Sequence, residues 1–166
     1  MKLLKIIVLT TLLGLSSQLF AAAKAQNFEL TDMAGKKHQL SQYAGKWVIV
    51  NYWATWCPPC LEEVPDFVAL YDSRKNKDLM VIGVALDYES AADVQAYVDD
   101  MLMSYPIVLG DEKATAQIGP ADVLPTTFIY NPKGQLVKTK RGLVTKQYLE
   151  NLMAAPEKKA LPVKNE

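Results

Sequence analysis

Residues 53–60 read Trp-Ala-Thr-Trp-Cys-Pro-Pro-Cys and hold both cysteines of the 166-residue chain. Immediately before them, Trp47 to Trp53 (WVIVNYW) is almost wholly apolar and rich in β-branched and aromatic residues. Such a run predicts a strand buried on both faces, as in a parallel or mixed sheet. Immediately after, Cys60, Val64, Phe67, Val68 and Tyr71 fall at helical intervals on one stripe. The cysteines therefore stand where a buried strand hands over to a helix. Pro58 and Pro59 suit the first helical turn, where a missing N–H costs nothing and a fixed φ is already helical.

The rest of the chain extends this α/β alternation. Phe28 to Thr31 and Lys37 to Leu40, separated by DMAGK, predict an N-terminal β-hairpin. Leu79 to Leu86 (LMVIGVAL) and Thr126 to Tyr130 (TTFIY) predict two more buried strands, and Gln135 to Lys140 an alternating strand nearer an edge. The turn Asn131-Pro132-Lys133-Gly134 joins these last two as a hairpin. Val94, Tyr97, Val98, Met101 and Leu102 predict a helix capped by Ser90, and Thr145 caps another running to Met153. The order implies an α/β fold with a central mixed sheet flanked by helices.

A cysteine pair with a two-residue gap can anchor haem, hold zinc, staple the fold or exchange electrons. Haem attachment needs a histidine directly after the second cysteine, and residue 61 is Leu. Structural zinc needs four ligands. Beyond the two cysteines the chain has only His38, read as a surface residue of the hairpin, so no metal site is expected. A structural disulfide stabilises mainly by closing a loop, and a two-residue gap closes almost none. Redox exchange fits best. At a helix N-terminus, unpaired N–H groups and the macrodipole favour the Cys57 thiolate, the attacking species. Cys60 lies one turn on and can resolve the mixed disulfide. A peroxidase is opposed by Thr55, which stands two residues before Cys57 rather than three, and by the lack of a nearby arginine.

The N-terminus reads as a targeting segment. Lys2 and Lys5 precede the apolar run Ile6 to Leu15, and small residues follow, with cleavage sites after Ala23 or Ala25. Residues 1–25 are expected to be a signal peptide, or alternatively an N-terminal membrane anchor. Either places the remainder in the periplasm or otherwise outside the cytoplasm. The full chain has 18 basic and 18 acidic side chains. Without residues 1–23, and so without Lys2 and Lys5, the balance is 16 to 18, or −2. That charge excludes an electrostatic footprint for nucleic acid. Residues 156–166 (PEKKALPVKNE) read as a flexible, solvated tail.

WATWCPPC resembles the active-site motif of the thioredoxin superfamily. Pro65, five residues after Cys60, stands where members carry a helix-kinking proline, and Val123-Leu124-Pro125-Thr126-Thr127 resembles their cis-proline loop. The resemblance covers most of Phe28 to Met153 and implies a thioredoxin-like domain over residues 26–155. It implies that Leu124 and Pro125 position an extended substrate chain. Trp56, Pro58 and Pro59 are expected to line the same surface. Thioredoxin carries a buried aspartate six residues before the first cysteine, and here that position is Asn51. Asn51 itself is read as a strand residue without chemistry. Exported reductases of the TlpA/ResA type instead carry a glutamate at the position of Glu63, three residues after Cys60, and an insertion that Asp87 to Asp111 is long enough to supply.

The resemblance implies an exported thiol-disulfide oxidoreductase. Cys57 attacks, Cys60 resolves and Glu63 exchanges the proton. The substrates are cysteine-containing proteins, for example in cytochrome c maturation, and a membrane partner supplies electrons. No cofactor is expected, and a monomer is. Two alternatives stay open: an oxidase or isomerase of the same fold, and a binding module with a vestigial disulfide.

Overall fold

The computed structural model describes residues 27–155. The signal segment and the solvated tail expected at the two ends lie outside the described residues. Among those described, no helix is long and apolar enough to cross a membrane.

The chain opens with a hairpin of β1 (Glu29–Thr31) and β2 (Lys37–Gln39), followed by a short 3-10 turn, Leu40–Tyr43. Then come β3 (Trp47–Trp53), α1 (Pro58–Arg74), β4 (Leu79–Ala85), α2 (Ala91–Asp100), β5 (Ile107–Leu109) and α3 (Glu112–Ile118). The hairpin β6 (Thr126–Tyr130) and β7 (Leu136–Arg141) and the helix α4 (Lys146–Ala154) close the domain. The main sheet has the order β5-β4-β3-β6-β7. β3, β4 and β5 run parallel, and β6 and β7 are antiparallel to their neighbours.

β3 and β4 are the apolar runs expected to be covered on both faces, and nearly every residue in them is buried. Alternation along β3 sends side chains to opposite faces. Tyr52 stacks edge-on against Phe128 and donates its hydroxyl to the Gly119 carbonyl at the end of α3. On the other face, Asn51 reaches Glu63 of α1. The N-terminal hairpin joins the Tyr52 side through Phe28, which meets Tyr130 edge-on. β7 lies at the sheet edge and is half exposed, as expected, but its burial does not alternate along the strand, which pairs with β6 through a register shift at Ile129/Tyr130.

The helix starts follow their caps. Ser90 accepts from the Asp93 N–H, and Thr145 from the Tyr148 N–H. Asp111 does the same for Ala114 at the start of α3. β5 and α3 carry no strong signal of their own, because three and seven residues are too short for a period to show. Two expectations are corrected. Leu102 is not on the α2 stripe: the helix ends at Asp100, Leu102 turns to φ 51°, and its side chain is 79% exposed. His38 is not a surface residue. It is fully buried, with Nε2 2.8 Å from Asp32 Oδ2 and Nδ1 bonded to the Tyr43 hydroxyl. Alternation across β2 turns it inward, and the two partners satisfy both ring nitrogens.

Gly83, in the middle of β4, is a point of close packing. A Cβ there would stand 2.8 Å from Ile107 Cδ1 and 3.0 Å from both Trp53 Nε1 and Tyr105 Cε2. Two of those neighbours are rings that cannot fold away. Gly83→Ala should therefore cost about 1–3 kcal/mol, read as a lowered urea midpoint. An unchanged midpoint would show that the packing there has slack.

Candidate active site

β3 delivers the chain to the surface at Trp53, and α1 begins at Pro58, with Cys57 in an extended N-cap conformation. The two cysteines form a disulfide with Cα atoms 5.3 Å apart. Cys57 is 3% exposed and Cys60 is fully buried. Pro58 and Pro59 occupy the first two helical positions, as expected. Their presence corrects one part of the thiolate argument. Neither proline has an N–H, and the Cys60 and Leu61 N–H groups both bond the Cys57 carbonyl. No side-chain cap bond is made at Cys57. In this oxidised state the helix end acts on Cys57 through the dipole, not through a bond to sulfur.

The antiparallel register of β3 with β6 pairs Tyr52 with Thr126. Continued by one and two residues, it brings Pro125 and Leu124 beside the exit of β3. The Leu124–Pro125 bond is cis, in agreement with the motif's resemblance. Pro125 is buried and Leu124 half-buried. Among the described residues nothing bonds the Leu124 backbone N–H or C=O. Trp56 is 60% exposed, yet its indole N–H donates to the Asp87 carbonyl at 3.0 Å. The large ring is thus held open to solvent instead of packing into the core. Pro58 is exposed beside it, Pro59 is half-buried, and Val123 adds apolar surface from the proline loop. A depression beyond this loop is lined by Glu112, Ala116, Gly119, Pro120 and Asp122, and neither cysteine lines it. The disulfide faces an open apolar surface, which suits a polypeptide better than a small molecule.

Beneath the surface lies a buried carboxyl. Glu63 is 1% exposed, one helical turn beyond Cys60 on α1. Its Oε1 accepts from Asn51 Nδ2 at 2.7 Å, and its Oε2 accepts from the Val144 backbone N–H at 2.9 Å. Burial pushes the Glu63 carboxyl up to about 7, although the Val144 and Asn51 bonds pull the other way. Glu62 is exposed, as its helical position implies. Trp53 is fully buried.

Three participants escaped the sequence reading. Asn51 is a hydrogen-bond donor to Glu63, not an inert strand residue. Thr127 Oγ1 accepts from the same amide at 3.2 Å, and Val144 contributes only its backbone. Asn51 and Thr127 are direct partners across β3 and β6. Asn51 in β3, and Thr127 beside Thr126 in β6, are polar residues in strands otherwise apolar, and that was the available signal.

The profile of the AhpC/TSA family matches residues 21–139. The thiol-disulfide oxidoreductase ResA of Bacillus subtilis is 33% identical over 129 residues, 78% of this chain and 72% of ResA. ResA of Halalkalibacterium halodurans is 35% identical over 80% of this chain and 75% of that protein. The chain belongs to the ResA-type thiol-disulfide oxidoreductases of the thioredoxin superfamily. Solved structures agree. StoA from Bacillus subtilis superposes with a TM-score of 0.65 at 26% identity, over 75% of this chain and 94% of StoA. The exposed lipoprotein thioredoxin of Streptococcus pneumoniae gives 0.65 at 28% identity, over 76% and 97%. The fold of this family is the five-stranded mixed sheet described above, with Cys57 and Cys60 in its strand-to-helix turn.

A carboxyl held near 7 in the fold and 4.5 outside it loses its proton first in the unfolded chain. The Glu63 contribution to folding stability should therefore be full below about pH 4.5 and fall as pH rises toward 7, by about 3 kcal/mol in total. Urea midpoints of the oxidised protein across pH 4–8 read this directly. Glu63→Gln should flatten the decline between pH 5 and 7, and an equal decline in that variant would assign it to other groups.

Proposed function

We propose that this oxidoreductase is an exported reductase of disulfides in partner proteins. The observation that carries the reading is the buried Glu63 carboxyl, one turn from the resolving cysteine and titrating near neutrality. A general acid–base group works best when its pKa lies close to the operating pH.

In the reduced protein, the Cys57 thiolate attacks one sulfur of a substrate disulfide, and the other substrate sulfur leaves as a thiolate that takes up a proton. Cys60 then gives its proton to Glu63 and attacks Cys57 Sγ. This releases the second substrate thiol and leaves the Cys57–Cys60 disulfide. Two electrons have passed to the substrate. A membrane dithiol partner must return them, and Glu63 returns the proton to Cys60.

Trp56, Pro58 and Pro59 form the apolar platform for the substrate chain. Leu124, next to cis Pro125, offers its free N–H and C=O to an extended backbone, in the manner of strand addition. Reduction of apocytochrome c cysteines is the use that the TlpA/ResA resemblance favours. Export is supported by the N-terminal basic, apolar and small-residue sequence and by likeness to a thioredoxin described as an exposed lipoprotein. The protein would act as a monomer in the periplasm or an equivalent extracytoplasmic space.

Equilibration with dithiothreitol separates this reading from an oxidase or isomerase. A reductase should show a potential near that of thioredoxin, about −270 mV, whereas one near −120 mV would mark an oxidant. Alkylation of the reduced protein followed against pH tests Glu63. The inflection near 7 should vanish in Glu63→Gln, and an unaltered profile would remove Glu63 from the chemistry. A Cys57→Ser, Cys60→Ser protein should lose all reductase activity, and full retained function would instead support a binding module.

A further inference from the structure

The two oxygens of Glu63 have unlike partners. Oε2 faces the Val144 N–H, a group that can only donate. Oε1 faces the Asn51 amide, which carries a donor and an acceptor on one rotatable plane. Behind the amide, Thr127 Oγ1 lies 3.2 Å from Asn51 Nδ2, and a hydroxyl can donate or accept. Asn51, Glu63 and Thr127 are 2%, 1% and 0% exposed, so these bonds are shielded from bulk water. The pairing of Asn51 with Thr127 across β3 and β6 fixes the geometry through the sheet.

We propose that Asn51 and Thr127 are positioning residues that hold the Glu63 carboxyl in one place in both of its protonation states, with the titrating proton on Oε1. When Glu63 is ionised, the Asn51 amide donates one N–H to Oε1 and the other to Thr127. When Glu63 is protonated, a proton on Oε2 would meet the Val144 N–H donor to donor, so it resides on Oε1. Asn51 then turns its amide by a half-turn. Its Oδ1 accepts from Glu63 and from the Thr127 hydroxyl, which has reversed. The carboxyl changes charge without moving. This deepens the reading of Glu63 as the proton partner of Cys60 and rests on it. An aspartate at position 51 could not donate to ionised Glu63, and two carboxylates in this contact would compete for one proton.

Among the described residues, the amide is the only adaptable partner of Glu63. Cys60, on the same helix, is in the disulfide. Asp66, on the next turn, accepts from the Lys146 N–H at 2.7 Å. Tyr105, ahead of β5, is buried with its hydroxyl unpartnered among the described residues. Burial raises that phenol, and the Glu63 charge raises it further, so it stays neutral throughout. No cationic side chain bonds Glu63 among the described residues.

The test is the Glu63 carboxyl carbon, followed by NMR against pH in the oxidised full-length protein. Asn51→Ala should raise the Glu63 midpoint by about one pH unit, because the bond lost from the charged form is stronger than the one lost from the protonated form. Thr127→Val should raise it less, since the ionised state then keeps one unmet N–H, and Thr127→Ser should restore it. Asn51→Asp should split the titration into two steps on either side of the original midpoint. In the unmodified chain, the Asn51 side-chain amide signals should titrate with the midpoint of Glu63 and stand still in Glu63→Gln. A midpoint unmoved in Asn51→Ala, or Thr127→Val behaving as Thr127→Ser, would overturn the proposal. Valine keeps the shape of threonine without its hydroxyl and serine keeps the hydroxyl without the methyl, so the two variants decide the matter even if Asn51→Ala does not fold. Unmoved midpoints would leave the role of Glu63 in exchange intact. An unchanged cysteine profile in Glu63→Gln would remove that role and leave the midpoints standing.

Discussion

β3 is covered on both faces, and that constraint organises the rest of the molecule. A strand with no wet side must pair on both edges and be roofed on both faces. β4 and β6 supply the edges. α1 roofs one face, and α3 with the N-terminal hairpin roofs the other. The chain cannot wander when it leaves such a strand, because its next element is the roof. The turn from β3 into α1 is short for that reason, and Cys57 stands in it as the helix cap. The redox centre is the point where the central strand of the sheet meets the helix that buries it.

The same packing brings a carboxyl into the interior. Glu63 lies on the α1 face that covers the sheet, so it meets β3 and the loop before α4 instead of water. Burying a carboxyl without an opposite charge is unfavourable for the ionised form. The two hydrogen bonds offset part of that cost, and the proton affinity rises until the group titrates near neutrality. An acid tuned in this way needs no cation and no metal. It needs only a helix face, a strand amide and one backbone N–H in register.

Much of this was legible in the residues. WVIVNYW, LMVIGVAL and TTFIY announce buried strands because a continuous apolar run of that length has few other uses. Ser90 and Thr145 announce helix starts because their hydroxyls answer orphan N–H groups. The cysteine spacing, the following prolines and Glu63 one turn on were equally plain. β5 and α3 were not, since neither is long enough to show a period. His38 looked like hairpin surface because its partners, Asp32 and Tyr43, are recognisable only once the hairpin and the 3-10 turn have folded.

By itself the sequence determined the order of the longer elements, the strand-to-helix turn that holds the thiols, and the place of Glu63 one turn beyond Cys60. These are local properties, set by period, capping and spacing along the chain. The tertiary structure alone decided what surrounds that acid. Asn51, Thr127 and Val144 come from two strands and a distant loop, and their own neighbourhoods do not say which groups they meet. The structure also decided that Trp56 stands open to solvent, through a bond to the Asp87 backbone. Proton affinity and surface presentation depend on which groups exclude water from a given point. That is a property of the packed fold, not of any one segment.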